Sequence, residues 1–121
     1  MVRKLLVVFA VAGMAAVLMA VQIPENITLD KAQAKRPPVA FPHKIHAEKF
    51  ACDNCHHTQK GLTAEAEKVE TCTSCHLDPE KSEIPSARQM SLTKNPFHIL
   101  CINCHKQEAK GPTKCAECHK N

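Results

Sequence analysis

One five-residue pattern occurs four times in this chain and uses every cysteine that the chain contains. The pattern is Cys-x-x-Cys-His. Its cysteine pairs are Cys52 and Cys55, Cys72 and Cys75, Cys101 and Cys104, and Cys115 and Cys118, followed by His56, His76, His105 and His119. This spacing is typical of c-type haem attachment, in which two thiols bond to the haem vinyl groups and the next imidazole binds the iron. The four copies therefore predict four covalently bound haems c, numbered here 1 to 4 in chain order.

The histidines outside the pattern match the number of remaining iron positions. They are His43, His46, His57 and His98, so eight histidines stand against the eight axial positions of four irons. Methionine is the usual competitor and raises the reduction potential. Three of the four methionines lie in the first 20 residues, which leaves only Met90. The counts predict four low-spin, low-potential haems, each held by two histidines.

Other uses of these residues remain open from the pattern alone. Two zinc sites of four thiolates each would also use eight cysteines, but zinc gives no reason for a histidine after every pair. Four disulfides are a second alternative, since small secreted domains are often rich in them, yet a two-residue gap closes a strained ring. Each histidine outside the pattern could also be an ordinary surface or core imidazole.

The N-terminal segment predicts export. Arg3 and Lys4 precede an apolar run from Leu5 to Ala20, which is typical of a secretory signal peptide and short for a transmembrane helix. We expect cleavage after Ala20, leaving residues 21–121 as one tetrahaem cytochrome domain. Covalent haem attachment also belongs outside the cytoplasm, so the periplasm is the predicted location, with no membrane anchor after cleavage.

The domain has too few apolar residues to build an ordinary core. Leu, Ile, Val and Phe supply only 17 of residues 21–121, below the level of about 20% at which chains tend to be disordered. Covalent haems would supply the missing apolar surface and cross-link the chain. We therefore expect the haem-free polypeptide to be largely disordered.

Charge is nearly balanced overall but uneven along the chain. From residue 94 onward only two acids accompany five lysines, which are Lys94, Lys106, Lys110, Lys114 and Lys120. This excess is either an ordinary solvated surface or, around haem 4, a docking patch for an acidic redox partner; for docking we single out Lys94, Lys106, Lys110 and Lys114. Nucleic-acid binding fits poorly with export and with the scarcity of aromatic residues.

Few regular elements are predicted between the motifs. Residues 22–42 contain four prolines and should be extended and irregular, with room for a short strand pair. A short helix is predicted over Pro42–Glu48, a helical turn over Thr63–Val69 and a further helix over Ser86–Asn95, the last of them ending near Pro96. A further helix would carry His98 into the third motif. The expected fold is mostly short α-helices and loops wrapped around four haems, with little β-structure.

Adjacent histidines constrain which iron each can reach. Consecutive Cα atoms are about 3.8 Å apart, so His56 and His57 cannot approach opposite faces of one iron. His57, if it is a ligand, must therefore serve another haem, within about 16 Å of the first. His43 and His46 are likewise too close together to bracket one porphyrin easily.

The chain resembles the tetrahaem cytochromes c3 of sulfate-reducing bacteria. The resemblance rests on Phe41-x-His43-x-x-His46, on Cys-x-x-Cys-His-His at 52–57, on Phe97-His98 and on Gly111-Pro112-Thr113-Lys114-Cys115. It implies that His43 is the second ligand of haem 1, His57 of haem 2, His46 of haem 3 and His98 of haem 4, opposite His56, His76, His105 and His119 respectively. One departure is that some members have four residues between the cysteines at haems 2 and 4, where this chain has two.

The resemblance also implies a function. A monomeric periplasmic carrier of this kind would take electrons from hydrogenase, or from formate dehydrogenase, and pass them to membrane redox complexes in sulfate respiration. With every iron closed by two histidines no open position remains for a substrate, so we expect an electron-transfer protein and not an enzyme. The alternatives are a multihaem reductase of metal or sulfur compounds, and a module of a larger multihaem assembly.

Overall fold

The computed structural model describes residues 22–32 and 35–120. The predicted signal peptide at 1–20 lies outside the described residues. Within the described ranges the elements follow in the order β1 (Ile27–Leu29), β2 (Val39–Phe41), α1 (His43–Ala47), a 3₁₀ turn (Cys52–Asn54), α2 (Cys72–His76), α3 (Pro96–Gln107) and α4 (Cys115–Cys118). Loops and short helices therefore dominate, as expected from the sequence.

The two strands form the only sheet in the described part of the chain. They pair antiparallel, with Ile27 opposite Phe41, Thr28 opposite Ala40 and Leu29 opposite Val39. The prediction of a short strand pair in this proline-rich stretch is confirmed. Helix α1 begins at His43, directly after Pro42, because proline cannot supply a helical N–H and is tolerated only at the start of a helix.

The structure corrects the prediction of a helix over Ser86–Asn95. That segment consists of turns, and the long helix of the domain begins where the prediction ended, at Pro96. Pro96 occupies the first helical turn, where its missing N–H costs nothing. The Asn95 side chain caps the helix by accepting from the N–H groups of Phe97 and His98, as asparagine commonly does. Asn-Pro is thus a start signal here and not a stop signal.

The other predicted helices have mixed outcomes. The helix that carries His98 into the third motif is confirmed as α3. The segment Thr63–Val69, predicted as a helical turn, contains one turn closed by the Ala66 N–H, which donates to the Thr63 carbonyl, and does not continue into a helix. A longer helix there would have little to stabilise it without packing.

The polypeptide builds almost no core of its own. Among the described residues only Ala87 and Asn95 are buried, at 4% and 6% exposure. Large apolar side chains such as Ile45 and Leu92 are more than half exposed in the chain taken alone. A folded domain of this size normally hides such residues, since their burial supplies most of the folding free energy. Packing between protein side chains therefore does not account for this fold.

Candidate functional site

Local helical geometry places the two cysteines of a motif side by side. The second motif is all of α2, the third lies in the second half of α3, the fourth forms α4 with His119 directly after it, and the first begins in the 3₁₀ turn. Residues three and four apart lie on the same face of a helix. The first cysteine, the second cysteine and the histidine of a motif therefore face one side together, as attachment to a single porphyrin requires.

The structure places the eight imidazoles in four facing pairs. The ring centroids are 6.3 Å apart for His43 and His56, 6.1 Å for His57 and His76, 6.1 Å for His46 and His105, and 6.4 Å for His98 and His119. Each pair joins one motif histidine to one histidine from outside the motifs. These are the pairs that the resemblance implies.

The separation within each pair suits a metal ion between two ring nitrogens. Two metal–nitrogen bonds of about 2 Å each, with roughly 1 Å from nitrogen to ring centre on either side, add up to about 6 Å. The ring planes differ in their mutual angle. Two pairs are nearly perpendicular, at 79° for His43 and His56 and 82° for His98 and His119, and two are more nearly parallel, at 33° for His46 and His105 and 48° for His57 and His76.

Backbone carbonyls orient seven of the eight rings through Nδ1. The acceptors are Pro24 for His43, Pro42 for His46, Glu70 for His56, Pro85 for His76, Ser91 for His98, Pro112 for His105 and Pro37 for His119, at 2.6–3.1 Å. A carbonyl oxygen can only accept, so Nδ1 must carry the proton and Nε2 must present its lone pair. This is the tautomer that a metal ligand needs, and the hydrogen bond increases its basicity.

His57 differs from the other seven histidines. Its ring is exposed, and it makes no hydrogen bond to another of the described residues. Its direct neighbour His56 is half-buried and bonded to the Glu70 carbonyl at 3.0 Å. The two consecutive imidazoles therefore face different partners, His76 for His57 and His43 for His56, as their spacing requires.

The cysteines from different motifs lie close enough to influence one another. All eight are free thiols of the chain. Burial, with smaller contributions from the nearby Cys55, Cys118 and Cys72, raises the pKa of Cys101 to about 11. Burial likewise raises the pKa of Cys55, with Cys72 adding to the effect. Cysteines of different motifs therefore lie near one another, in surroundings that disfavour thiolates.

Each repeated unit of the site consists of the two thiols of one motif and one pair of imidazoles. Within residues 22–32 and 35–120, no three histidine, cysteine or acidic side chains form a group that could hold a metal ion directly.

Three short segments join the four imidazole pairs into a series. The dipeptide His56-His57 joins the first pair to the second, and α1, with His43 and His46, joins the first to the third. Helix α3 holds His98 and His105 seven residues apart, about 10.5 Å along its axis, and so joins the third pair to the fourth. The backbone fixes the spacing between neighbouring pairs in every case.

The lysines singled out for docking do not form one compact group along α3. Lys94 precedes the first turn of α3 and Lys106 lies in its last turn, and the helix is about 18 Å long. Lys110 and Lys114 follow in the connection to α4 and are exposed, as are Lys94 and Lys106. Three of these four positive charges therefore lie at or after the C-terminal end of α3, and Lys94 lies at the opposite end.

Comparison with known proteins identifies the family. A model of the class III cytochrome c family matches residues 19–119. The chain belongs to the class III cytochrome c family. It is 37% identical to a cytochrome c3 of Desulfovibrio desulfuricans over 90 residues, covering 73% of this chain and 83% of that protein. It is 34% identical to a cytochrome c7 of Geobacter metallireducens over 89 residues, covering 73% and 70% respectively.

Among solved structures, the triheme cytochrome PpcA of Geobacter sulfurreducens is 29% identical, with a TM-score of 0.42. The match covers 81% of this chain and all of that one. As a class III cytochrome, this chain is a multihaem c-type electron carrier with covalently bound haem. No helix in its described part is long and apolar enough to cross a membrane.

The residues of this class III cytochrome fit the haem that the family implies. Each motif contributes two thiols and one imidazole of a pair, seven of the eight rings bond to a carbonyl through Nδ1 and leave Nε2 for a metal, and Gly111 leaves room for one of these rings. A Cβ built on Gly111 would lie 3.1 Å from three ring atoms of His105. The backbone there has φ +88°, which glycine adopts freely.

Sequence reasoning missed two kinds of site residue. The first is the set of carbonyl acceptors, five of which belong to prolines; proline fixes φ near −65°, so a carbonyl in such a segment is held in place at a smaller entropic cost. The abundance of proline near histidine was a usable signal. The second is Asn95, which the sequence places at the end of a helix and which the structure shows to be the N-cap of α3.

Proposed function

We propose that this protein is a periplasmic, low-potential electron carrier with four bis-histidine haems c. The observation that supports the proposal is the presence of four facing imidazole pairs, each next to one Cys-x-x-Cys unit. Haem bound there would supply one-electron iron chemistry. The export signal expected at residues 1–20 and the family resemblance support the location.

The proposed ligand sets follow the four pairs. His43 and His56 hold haem 1, His57 and His76 haem 2, His46 and His105 haem 3, and His98 and His119 haem 4. The proposed covalent attachments are those of the corresponding cysteine pairs. Seven of the eight imidazoles are oriented by a hydrogen bond to a carbonyl, so the Nε2 atoms of these rings are available to bind haem iron.

The pairing favours a carrier over a reductase. In each pair both faces of an iron would be taken by imidazole, so no position is left for a substrate to bind. The carbonyl bonds also resist exchange of a ligand, since a ring that leaves the iron must break its own hydrogen bond or carry the backbone with it. We therefore propose that electrons are exchanged with protein partners and not with a substrate bound at iron.

The proposed partners are hydrogenase or formate dehydrogenase as donor and membrane redox complexes of sulfate respiration as acceptor. Exposed lysines at the C-terminal end of α3 and in the following connection, Lys106, Lys110 and Lys114, lie in the same part of the chain as the fourth motif. Complementary charge accelerates encounter with an acidic partner and makes the rate salt-dependent. Lys94, at the other end of α3, would contribute less to the same encounter.

The test is haem quantification combined with spectroscopy of the protein purified from a periplasmic extract. The mass of the mature chain should show four added haems, and the oxidised protein should show only low-spin signals. The reduced protein should be inert to carbon monoxide. A high-spin haem that binds carbon monoxide would show an open iron position and favour the reductase instead.

A further inference from the structure

Asn95 is the only polar residue that is buried among those the structure describes. Every hydrogen-bonding group of its amide is used. Its Nδ2 donates to the carbonyls of Ala87 and Gln89 at 2.8 and 2.6 Å, and its Oδ1 accepts from the N–H groups of Phe97 and His98 at 2.9 and 3.5 Å. A buried amide with all its partners fixes the backbone segments that it connects.

The segment that Asn95 holds is the source of two of the carbonyls that orient imidazoles. We call residues 85–95 the ligand strap. At its start, the Pro85 carbonyl accepts from His76 Nδ1 at 2.7 Å. Near its end, the Ser91 carbonyl accepts from His98 Nδ1 at 3.1 Å. One strap therefore serves rings from two different imidazole pairs.

Further backbone bonds tie both rings to the same asparagine. The Ala87 N–H donates to the His76 carbonyl at 2.9 Å, and the Asn95 N–H donates to the Ser91 carbonyl at 3.1 Å. Ala87 is thus bonded to His76 through its N–H and to Asn95 through its carbonyl. It is also the only other buried residue of the described chain. Asn95 and Ala87 are thus the two described residues that the surrounding polypeptide buries.

We propose that Asn95 is a positioning residue that holds the His98 and His76 imidazoles in place and thereby sets the potentials of haems 4 and 2 together. The proposal rests on the ligand assignment given under Proposed function. No other side chain in the strap bonds to both its middle and the start of α3. Without the side-chain amide, the strap loses its bonds from the Ala87 and Gln89 carbonyls to the residue that caps α3. The Ser91 carbonyl is then positioned only by its bonds to the Asn95 N–H and to His98, so the bond to His98 is weakened.

The direction of the effect follows from the bond to Nδ1. A ring that donates from Nδ1 to a carbonyl is more basic and a stronger electron donor at Nε2, which favours ferric iron. Weakening the bond from His98 to Ser91 should therefore raise the potential of haem 4. The bond from His76 to Pro85 lies ten residues before Asn95, so haem 2 should shift in the same direction by a smaller amount.

The test uses the full holoprotein and two substitutions of the same residue. Asn95→Ser keeps an oxygen that can cap α3 but cannot reach the strap carbonyls, and Asn95→Ala removes both functions. Redox titration followed by NMR of the haem methyl groups gives the potential of each haem. Low-temperature EPR reports the mutual angle of the axial rings, which is 82° for His98 and His119.

A matched control exists in another loop of the chain. Gln59 clamps another loop, with Nε2 donating to the Lys68 carbonyl at 3.0 Å and Oε1 accepting from the Glu70 N–H at 2.7 Å. The Glu70 carbonyl in turn accepts from His56 Nδ1. Gln59→Ala should therefore shift haem 1 and leave haems 2 and 4 unchanged.

With Asn95→Ser, we expect a several-fold fall in the ferric-to-ferrous ratio of haem 4 at a fixed potential, a smaller fall for haem 2, and no change for haems 1 and 3. The EPR signal of haem 4 should change, and all four haems should remain low-spin. Unchanged potentials at haems 2 and 4, or equal shifts at all four haems, would overturn the proposal while the ligand assignment stands.

If the Asn95→Ala variant fails to load haem, the Asn95→Ser variant alone decides the test. A wild-type protein lacking two histidines at haem 2 or 4 would overturn both this proposal and the proposed function.

Discussion

Replacing Gly111 by alanine should strain the position of one axial ligand. The added Cβ would lie 3.1 Å from Cγ, Cδ2 and Cε1 of His105, well inside the usual carbon–carbon contact of about 3.5–4.0 Å. The ring has little freedom to retreat. Its Nδ1 is bonded to the Pro112 carbonyl at 2.6 Å, and its other side faces His46 at 6.1 Å between ring centroids.

Two costs add up at this position, and one of them can be measured separately. Left-handed backbone costs a residue with a Cβ about 1–2 kcal/mol, and Gly111 has φ +88°. Overpacking against a ring that cannot move adds about 1–3 kcal/mol. Gly61 provides the control, since it has φ +70° and a Cβ there would meet nothing within 4 Å. Gly61→Ala should therefore lose only the backbone contribution, about 1–2 kcal/mol.

Thermal unfolding of the two oxidised holoproteins, followed through the haem absorption, gives the comparison. Each kcal/mol lost should lower the midpoint by about 4–8 °C for a domain of this size. Gly111→Ala should be the less stable variant, and its haem 3 signal alone should change in EPR and in redox titration. Equal destabilisation by the two substitutions, with haem 3 unchanged in both, would refute the argument that Gly111 makes room for the His105 ring.

Three further predictions follow from the geometry of the site and its surroundings. The two nearly perpendicular imidazole pairs, at haems 1 and 4, should give strongly anisotropic low-spin EPR signals, and haem 3, at 33°, a rhombic one; four similar rhombic signals would contradict this. The pKa of Glu117 is lowered because its carboxylate accepts from the N–H groups of Thr113 and Lys114. The stability that this gives is present above about pH 4.5 and is lost as the pH falls. Glu117→Gln should therefore reduce the loss of stability on acidification, measured as unfolding midpoints between pH 6 and about pH 3, and an unchanged pH profile would count against the bonds. Charge reversal of Lys106 and Lys110 should slow reduction by hydrogenase and flatten its salt dependence more than Lys94→Glu does; equal rates for all variants in a stopped-flow assay would argue against docking at this end of α3.

The sequence was most informative where covalent chemistry fixes the residue type. The motif spacing located the cysteines and four of the histidines, and adjacency separated His56 from His57 without any structure. The short helix after Pro42 and the strand pair also followed from local rules. Which distal histidine faces which motif did not follow, because spacing alone left the partner of His98 open, and only the resemblance supplied it.

The failed helix prediction has a specific physical cause. Residues 86–95 contain good helix formers, and proline at 96 was interpreted as the stop. Propensity is a weak guide when a buried amide offers the backbone another set of bonds. Asn95 bonds to the carbonyls of Ala87 and Gln89, and this requires the preceding residues to form a loop that returns on itself. The composition of residues 86–95 does not reveal that Asn95 will bond back to Ala87 and Gln89.

The scarcity of apolar residues and the abundance of carbonyl bonds to histidine have one explanation. A chain with only two buried residues in its described part cannot orient eight imidazoles by packing side chains around them. It uses backbone carbonyls instead, and five of the seven acceptors belong to prolines, whose fixed φ reduces the entropy lost when the loop is ordered. Because the carbonyls that bond to the imidazoles belong largely to loops, the loops determine how basic these ligands are. A loop residue such as Asn95 can therefore act on a haem through the imidazoles that its loop orients.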